Sequence, residues 1–206
     1  AELGTNGVSW TINSYVIDSG DYNYVLNDST PLEKTIPELP GAEPVNLTND
    51  TFFKFFDEDG ILRESYTDDE LVFHGLFENL TGVNTIIIDR PITLISDNAV
   101  LNNIAISIID DGVKLSGFTF NADHVEFNAN GGAVVYVSGS DVEIDNVIVN
   151  YDAPGEVEAI AVYVNAADNF ALTNSEISFV STNPGNKHNY GLKVRNSETA
   201  VIDNNI

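Results

Sequence analysis

The sequence predicts an all-β fold of the parallel β-helix class, because of an internal repeat, the strand pattern within it and the polar turns between the strands. The repeat recurs at intervals of 27 to 30 residues, which makes Leu115, Ile144, Leu172 and Ile202 equivalent positions in successive coils. Each copy contains three short runs of alternating apolar residues, with no helical pattern between them. A βαβ crossover needs about a dozen residues, so the three strands of a copy fit one coil of a solenoid.

Each coil is predicted to contain three strands in a fixed order. The first strand carries an apolar pair: Ile106 and Ile108, Val135 and Val137, Val162 and Val164, or Leu192 and Val194. A polar turn separates it from the second strand, which holds the marker residue of the repeat. The third strand carries Phe118 and Phe120, Val147 and Val149, or Ile177 and Phe179. Coils stacked at about 4.8 Å would align these residues in rows inside the core.

A glycine or asparagine stands two residues after each marker: Gly117, Asn146, Asn174 and Asn204. Both residue types tolerate a left-handed backbone conformation, so this position is predicted to bend the chain between two sheets. We expect the asparagine side chains at the bend to bond to one another from coil to coil, forming an amide ladder. The recurring asparagine is therefore assigned a structural role.

Two segments precede the repeats. Residues 1–44 combine aromatic and turn residues with a proline-rich stretch, which predicts an extended or strand segment and a linker. The β-helix is predicted over residues 45–206, and it begins with a helix that Thr48 or Asp50 caps. That helix carries four phenylalanines: Phe52, Phe53, Phe55 and Phe56. Because the open end of a solenoid exposes its core, this helix is predicted to cap the first coil.

The last repeat stops at Ile206 in mid-coil, without a capping element. Natural proteins cover the unpaired edges of their sheets. We therefore expect the chain to belong to a longer protein or to be completed by a partner.

Composition narrows the function class. The chain has 32 acidic and 8 basic residues, a net charge of −24, which argues against a nucleic-acid partner because phosphate binding needs clustered cations. It contains no cysteine, which excludes disulfides and thiol metal sites. It also has no apolar run long enough to be a transmembrane segment. Four Asn-x-Ser/Thr sequons predict a glycosylated, extracellular chain: Asn27, Asn46, Asn49 and Asn79.

The run LTNDTFFKFFDEDGILRE, followed by ELVFHGLFENL, NTIIIDRPITLISDNAVLNNIAISI and DGVKLSGFTF, resembles the start of adhesin-like cell-surface proteins of methanogenic archaea. The resemblance covers residues 46–206 and leaves residues 1–44 unexplained. It implies a secreted chain at the cell surface, a right-handed parallel β-helix, and attachment to other cells or surfaces. It implies no catalytic residues.

The predicted binding surface follows from position in the repeat. Extra residues enter the coils after the third strand, at 121–132, 150–159 and 180–190, and insertions at one point of a repeat project from one face. On the first strand, an outward column places two tyrosines over one another. Such an aromatic shelf suits sugar rings or a partner protein, whereas the other interpretation is stacking that only stabilises the sheet. The predicted ligand-binding residues are Tyr136, Tyr163, Lys193, Tyr151, His188 and Tyr190.

The sequence predicts no bound cofactor. Calcium is the one ion for which it offers candidate ligands. Asp57, Asp59 and Glu64 supply acidic oxygens around a glycine, as in part of a calcium loop, although the full loop spacing is missing. The other interpretation is a solvated acidic turn that ends the phenylalanine helix. A second set of acids could also meet a cation: Asp152, Glu156 and Glu158.

An enzyme on the same scaffold is the second hypothesis. Asp110 and Asp111 are adjacent, and glycosidases use pairs of carboxylates, but no equivalent acidic pair stands in the adjacent coils. A lyase would need calcium-binding acids beside a basic residue, and no acids converge in sequence on Lys193 and Arg195. The three histidines lack metal-ligand spacing: His74, His124 and His188.

We therefore predict a non-enzymatic adhesion module at the cell surface that binds a glycan or protein of a partner cell. One alternative is a polysaccharide lyase or glycoside hydrolase, which would share the fold. The other is a structural stalk or surface-array subunit, whose end coils stack on neighbouring copies of the chain.

Overall fold

The computed structural model describes residues 46–123, 125, 127, 131–154, 158–181 and 189–206. The chain divides into two units, Ala1–Pro44 and Val45–Ile206, and the predicted extended segment lies outside the described residues. The second unit is a parallel β-solenoid with little helix, which confirms the predicted fold class. Every pair of neighbouring strands in its sheets is parallel.

The strands form three faces of the solenoid. Face A contains the first halves of β1 (Glu70–Phe77) and β3 (Thr93–Asn102), then β5 (Lys114–Ser116), β8 (Glu143–Asp145), β11 (Phe170–Thr173) and β14 (Ala200–Asp203). Face B contains the second halves of β1 and β3, then β6 (Thr119–Asp123), β9 (Ile148–Ala153) and β12 (Glu176–Ser181). Face C contains β2 (Thr85–Ile88), β4 (Ala105–Ile108), β7 (Ala133–Val137), β10 (Ile160–Asn165) and β13 (Tyr190–Arg195). Because β1 and β3 run through the bend, faces A and B are joined in one sheet.

The predicted markers align in one row on face A. The strand register pairs Leu115 with Ile144, Ile144 with Leu172 and Leu172 with Ile202. The predicted third strand of the third copy is two residues out of register, because Ile177 pairs with Val149 and not with Val147. The position opposite Val147 is taken by Ser175, which is 2% exposed. The core row on face B therefore contains one hydroxyl group.

The predicted bend is confirmed in its backbone and wrong in its side chains. Gly117, Asn146, Asn174 and Asn204 all have φ between 52° and 80°, the left-handed region that glycine and asparagine favour. The amides of Asn146 and Asn174 do not form a ladder, since Asn174 Nδ2 donates to Asp145 Oδ1 at 2.7 Å. Coils are joined at the bend by backbone bonds, such as the one from the Asn146 N–H to the Thr173 carbonyl at 3.0 Å.

The phenylalanine cap is confirmed. A 3-10 turn, Asn49–Thr51, leads into α1 (Phe52–Phe55), and the Thr48 N–H donates to Thr51 Oγ1 at 2.9 Å. The rings of Phe52 and Phe56 are buried and stacked, with centroids 4.7 Å apart. The Phe56 ring also packs against Phe73 of β1, with centroids 6.0 Å apart. Phe53 is the exception, because its side chain is 41% exposed. Aromatic contacts thus continue from the cap into the first coil.

Candidate functional site

The predicted tyrosine column lies on the outer surface of face C. The register pairs Tyr136 with Tyr163 and Tyr163 with Lys193, as the sequence predicts. The two tyrosine rings have centroids 5.5 Å apart and meet edge to face at 71°. Because one ring points its edge at the other, the pair is not the flat shelf that the sequence suggested. Edge-to-face contact is a favourable arrangement of aromatic rings within a protein.

Lys193 completes this group, which we call the Tyr–Lys cluster (Tyr136, Tyr163, Tyr190 and Lys193). Its Nζ lies 4.8 Å from the centroid of the Tyr163 ring and 4.9 Å from that of Tyr190. The same Nζ is 2.9 Å from Glu158 Oε1. The lysine charge is thus held between two aromatic rings and a carboxylate. These contacts favour the interpretation in which the column stabilises face C.

Two further predicted ligand-binding residues have other outcomes. Tyr151 is a core residue, 2% exposed, and its hydroxyl donates to the Val125 carbonyl at 3.0 Å. The prediction failed because β9 continues to Ala153, so that Tyr151 follows Val149 on the inward side of the strand. Phe127 of the first insertion is also buried and packs against Tyr151, with ring centroids 6.0 Å apart. His188 lies outside the described residues, as do the middle parts of the three insertions.

An open polar cleft of about 460 Å³ lies at the outer surface of face B, beside the β1–β2 and β3–β4 connections. Its polar lining is Glu78, Asn79, Asn102, Asn103, Asn121 and Asp123. Its apolar lining is Leu80, Val83 and Ile104, all of them buried. A second hollow of about 240 Å³ shares Asn121 and Asp123 with it and continues along Asn150, Asp152 and Ser178. We call the first of these hollows the polar cleft.

An asparagine ladder (Asn102, Asn121 and Asn150) runs through the polar cleft, which its first two members line, into the second hollow. Asn121 Nδ2 donates to Asn102 Oδ1 at 3.1 Å, and Asn150 Nδ2 donates to Asn121 Oδ1 at 2.9 Å. Asn102 Nδ2 lies 3.5 Å from Glu78 Oε2 at the first coil. Each amide carries two N–H groups and each amide oxygen has two lone pairs, so the ladder bonds leave hydrogen-bonding capacity on the half-buried side chains.

Sequence reasoning missed this ladder although a signal was present. Each of its asparagines directly follows an inward residue of the third strand: Leu101, Phe120 or Val149. Alternation therefore points the asparagines outward, and the register pairs Asn102 with Asn121 and Asn121 with Asn150. The predicted ladder was placed at the bend because asparagine also recurs there.

The acidic pair Asp110–Asp111 serves the turn between faces C and A. Asp111 Oδ1 accepts a bond from the Ser140 N–H at 2.7 Å, and the Asp111 N–H donates to Asp110 Oδ1 at 2.7 Å. Asp168 repeats the role two coils further along, since its Oδ1 accepts from the Glu198 N–H at 2.7 Å. A carboxylate engaged by backbone N–H groups caps a turn, which supports a structural role for the pair.

The predicted calcium residues lie at the turn after α1. Asp57 Oδ1 accepts from the backbone N–H groups of Asp59 at 3.0 Å and Ile61 at 2.9 Å, so this carboxylate closes its own turn. Within the described ranges, no three His, Cys, Asp or Glu side chains are grouped as metal ligands, and Glu64 is exposed. In the other proposed set, Glu158 pairs with Lys193, and Glu156 lies outside the described residues. Calcium binding stays a prediction.

The sequons differ in their surroundings. Asn46 and Asn79 are exposed, whereas Asn49 is half-buried and its Oδ1 accepts from the Glu78 N–H at 3.0 Å. Asn27 lies outside the described residues. Glycosylation at these positions stays a prediction, and Asn79 is notable because it lines the polar cleft.

Two side chains outside the polar cleft have pKa values that differ from their ordinary values. Side-chain bonds from Thr173 and then Asn174 lower the pKa of Asp145 below its ordinary value. Burial, reinforced by Asp68 and Glu70, raises the pKa of Tyr66, whose hydroxyl donates to the Glu70 carbonyl. His74 is paired with Asp97, 3.0 Å away on the neighbouring strand. These contacts join coils and turns to one another.

In the part of the chain that the structure describes, no helix is both long and apolar enough to cross a membrane. The chain matches no known family model, no curated protein and no solved structure.

Proposed function

We propose that the chain is a non-catalytic attachment module of a cell surface, which holds a glycan or protein of another cell or surface. The observation that carries this proposal is the polar cleft, because it is an open site in which Asn102 and Asn121 are held on paired, in-register strands. Rigid elements hold binding groups in place without ordering them on contact. The resemblance of residues 46–206 to adhesin-like surface proteins supports the same function.

The charged residues support binding over catalysis. Asp110 and Asp111 hold a turn, and Lys193 is engaged by Glu158 and two tyrosine rings. A basic side chain engaged in this way is poorly placed to take a proton from a substrate.

A glycoside hydrolase or lyase is the second candidate, favoured by one observation. Asp123 and Asp152 pair in the register of β6 and β9 beside the cleft, so two acidic residues are neighbours on adjacent strands. Glycosidases act with pairs of carboxyl groups. The structural stalk is the third candidate. It rests on the solenoid itself, because coils that pair in parallel with one another can pair in the same way with a neighbouring copy.

The test is to immobilise the chain and add whole cells and a panel of surface polysaccharides, with calcium and with a chelator. Retained ligand without soluble oligosaccharide is the result expected of an attachment module, and a loss of retention in chelator would indicate calcium at the acidic loops. Release of oligosaccharide would instead support an enzyme. Failure to retain any cell or polysaccharide, together with concentration-dependent self-association, would favour the stalk.

A matched variant decides whether the Tyr–Lys cluster takes part. Replacing Tyr136 and Tyr163 with Ala should lower the stability of face C, because the edge-to-face pair is lost. If the variant remains folded and retains the ligand as the parent chain does, the cluster is not the binding surface. Weaker retention by a folded variant would return it to consideration.

A further inference from the structure

We infer that the polar cleft binds a neutral oligosaccharide, with the asparagine ladder contacting its hydroxyl groups. This inference rests on the proposed attachment function and assigns it a site and a ligand class. It starts from the composition of the cleft, which is lined by the amide groups of Asn102 and Asn121 together with the largely buried side chains of Leu80, Val83 and Ile104.

The lining matches a ligand that has both hydroxyl groups and apolar patches. Amides donate and accept hydrogen bonds, so they can meet hydroxyl groups in either sense. Binding sites of this kind combine an apolar surface with a few fixed polar groups that orient the ligand. Sugar rings present hydroxyls at their edges and C–H groups on their faces, which suits a cleft lined by both amides and apolar side chains.

The charges of the cleft select against acidic sugars. Glu78 and Asp123 line the cleft, and no Lys or Arg is among its lining residues in the described part of the chain. An anionic ligand would meet two carboxylates there, within a chain whose net charge is −24. Uronate-containing or sialylated glycans are therefore disfavoured.

The length of the site favours an oligosaccharide over a single sugar. The ladder crosses three coils, from Asn102 through Asn121 to Asn150, with about 4.8 Å between coils. The adjoining hollow continues the same surface to Ser178 on a fourth coil. Several sugar units can lie across these coils and contact one amide after another.

The first experiment is nuclear magnetic resonance with side-chain amides as the reporters. The chain is titrated with neutral hexasaccharides of glucose, mannose and N-acetylglucosamine, with acidic hexagalacturonate, and with a cationic glucosamine hexamer. At least one neutral hexasaccharide is expected to shift the Asn102 and Asn121 side-chain amide signals. Shifts confined to other residues, no shifts with any neutral probe, or tighter binding of an acidic or cationic probe would overturn the assignment.

Variants then test the ladder itself. Asn102→Ala with Asn121→Ala should raise the Kd for the active hexasaccharide at least tenfold. Asn165→Ala is the matched control, because it removes an amide bond to Asn196 on face C, away from the cleft, and should leave the Kd unchanged. Equal Kd values for the two variants would contradict a role for the ladder.

A charge variant covers the case in which the ladder variant does not fold. Glu78→Gln with Asp123→Asn keeps the side-chain shapes and removes the two carboxylates, so the affinity for hexagalacturonate should rise relative to that for the neutral hexasaccharide. Unchanged discrimination against the acidic probe would overturn the charge argument. If the chain retains cells but no amide signal in the cleft shifts, the site assignment is overturned and the attachment function stands. If the chain neither retains cells nor shows shifts in the cleft, both the site assignment and the attachment function are overturned.

Discussion

Phe56→Ala tests the physical link between the cap and the solenoid. The Phe56 side chain is fully buried, stacks on Phe52 with centroids 4.7 Å apart and contacts Phe73 of the first coil. Truncation of a buried phenylalanine removes its transfer free energy and leaves a cavity, with a typical loss of about 3–5 kcal/mol. We expect a loss near the middle of that range, about 4 kcal/mol, because the ring has aromatic neighbours on two sides.

The assay is urea unfolding followed by far-ultraviolet circular dichroism, with Phe53→Ala as the matched control. Phe53 lies in the same α1 and is 41% exposed, so its truncation should lower the free energy of unfolding by about 1 kcal/mol or less. Each coil of a solenoid is stabilised by its neighbours, so loss of the cap should shift the main unfolding transition of the sheets. Equal losses for the two variants, or an unchanged main transition, would refute the cap as a source of solenoid stability.

The remaining predictions concern turns, charges and acid. Gly139→Ala should lower the free energy of unfolding by about 3 kcal/mol, because a Cβ there would lie 1.8 Å from the Asp110 carbonyl oxygen. Gly191→Ala is the control in the same urea assay. It should be nearly neutral, because the atom nearest to its added Cβ would be 3.6 Å away. Lys193→Met should cost about 1 kcal/mol by loss of the cation–π and ion-pair contacts, and an unchanged urea midpoint would contradict a stabilising Tyr–Lys cluster. The lowered pKa of Asp145 adds stability above its unfolded pKa of about 3.9, and this is lost as the pH falls through the folded value. Asp145→Asn should therefore flatten the acid dependence of the urea midpoint, and an unaltered dependence would count against the assignment.

The repeat was predictable because core positions and bends are set by local chemistry. Leu115, Ile144 and Leu172 fall in one row since each is the inward residue of a short strand at a similar distance from a polar turn. Asn146 and Asn174 adopt a left-handed conformation because few other residues accept it. Both features depend on the residue and its immediate neighbours in the chain.

The site was harder to predict because it depends on where strands end and how rings turn. Tyr151 was assigned to a loop, but β9 continues past it and turns its ring into the core, where Phe127 packs against it. The edge-to-face angle of Tyr136 and Tyr163 is set by the surrounding side chains and has no counterpart in the sequence pattern. The polar cleft joins Glu78 to residues more than twenty positions further along, a proximity that only the stacking of coils creates.

The buried hydroxyl of Ser175 favours one alignment of neighbouring coils over others. A solenoid of similar apolar coils could slip by two residues, which keeps the inward side chains inward, or skip a coil with little change in buried area. Ser175 Oγ accepts from the Val147 N–H at 3.1 Å and donates to the Thr173 carbonyl at 2.7 Å, and its own N–H donates to Asn205 Oδ1 at 2.8 Å. The bond to the Thr173 carbonyl lies within one coil, whereas a shifted coil would break the bond from Val147 and leave that buried N–H without a partner, at a cost of about 1–3 kcal/mol. One polar side chain thereby discriminates the native alignment of three successive coils from near-equivalent alternatives.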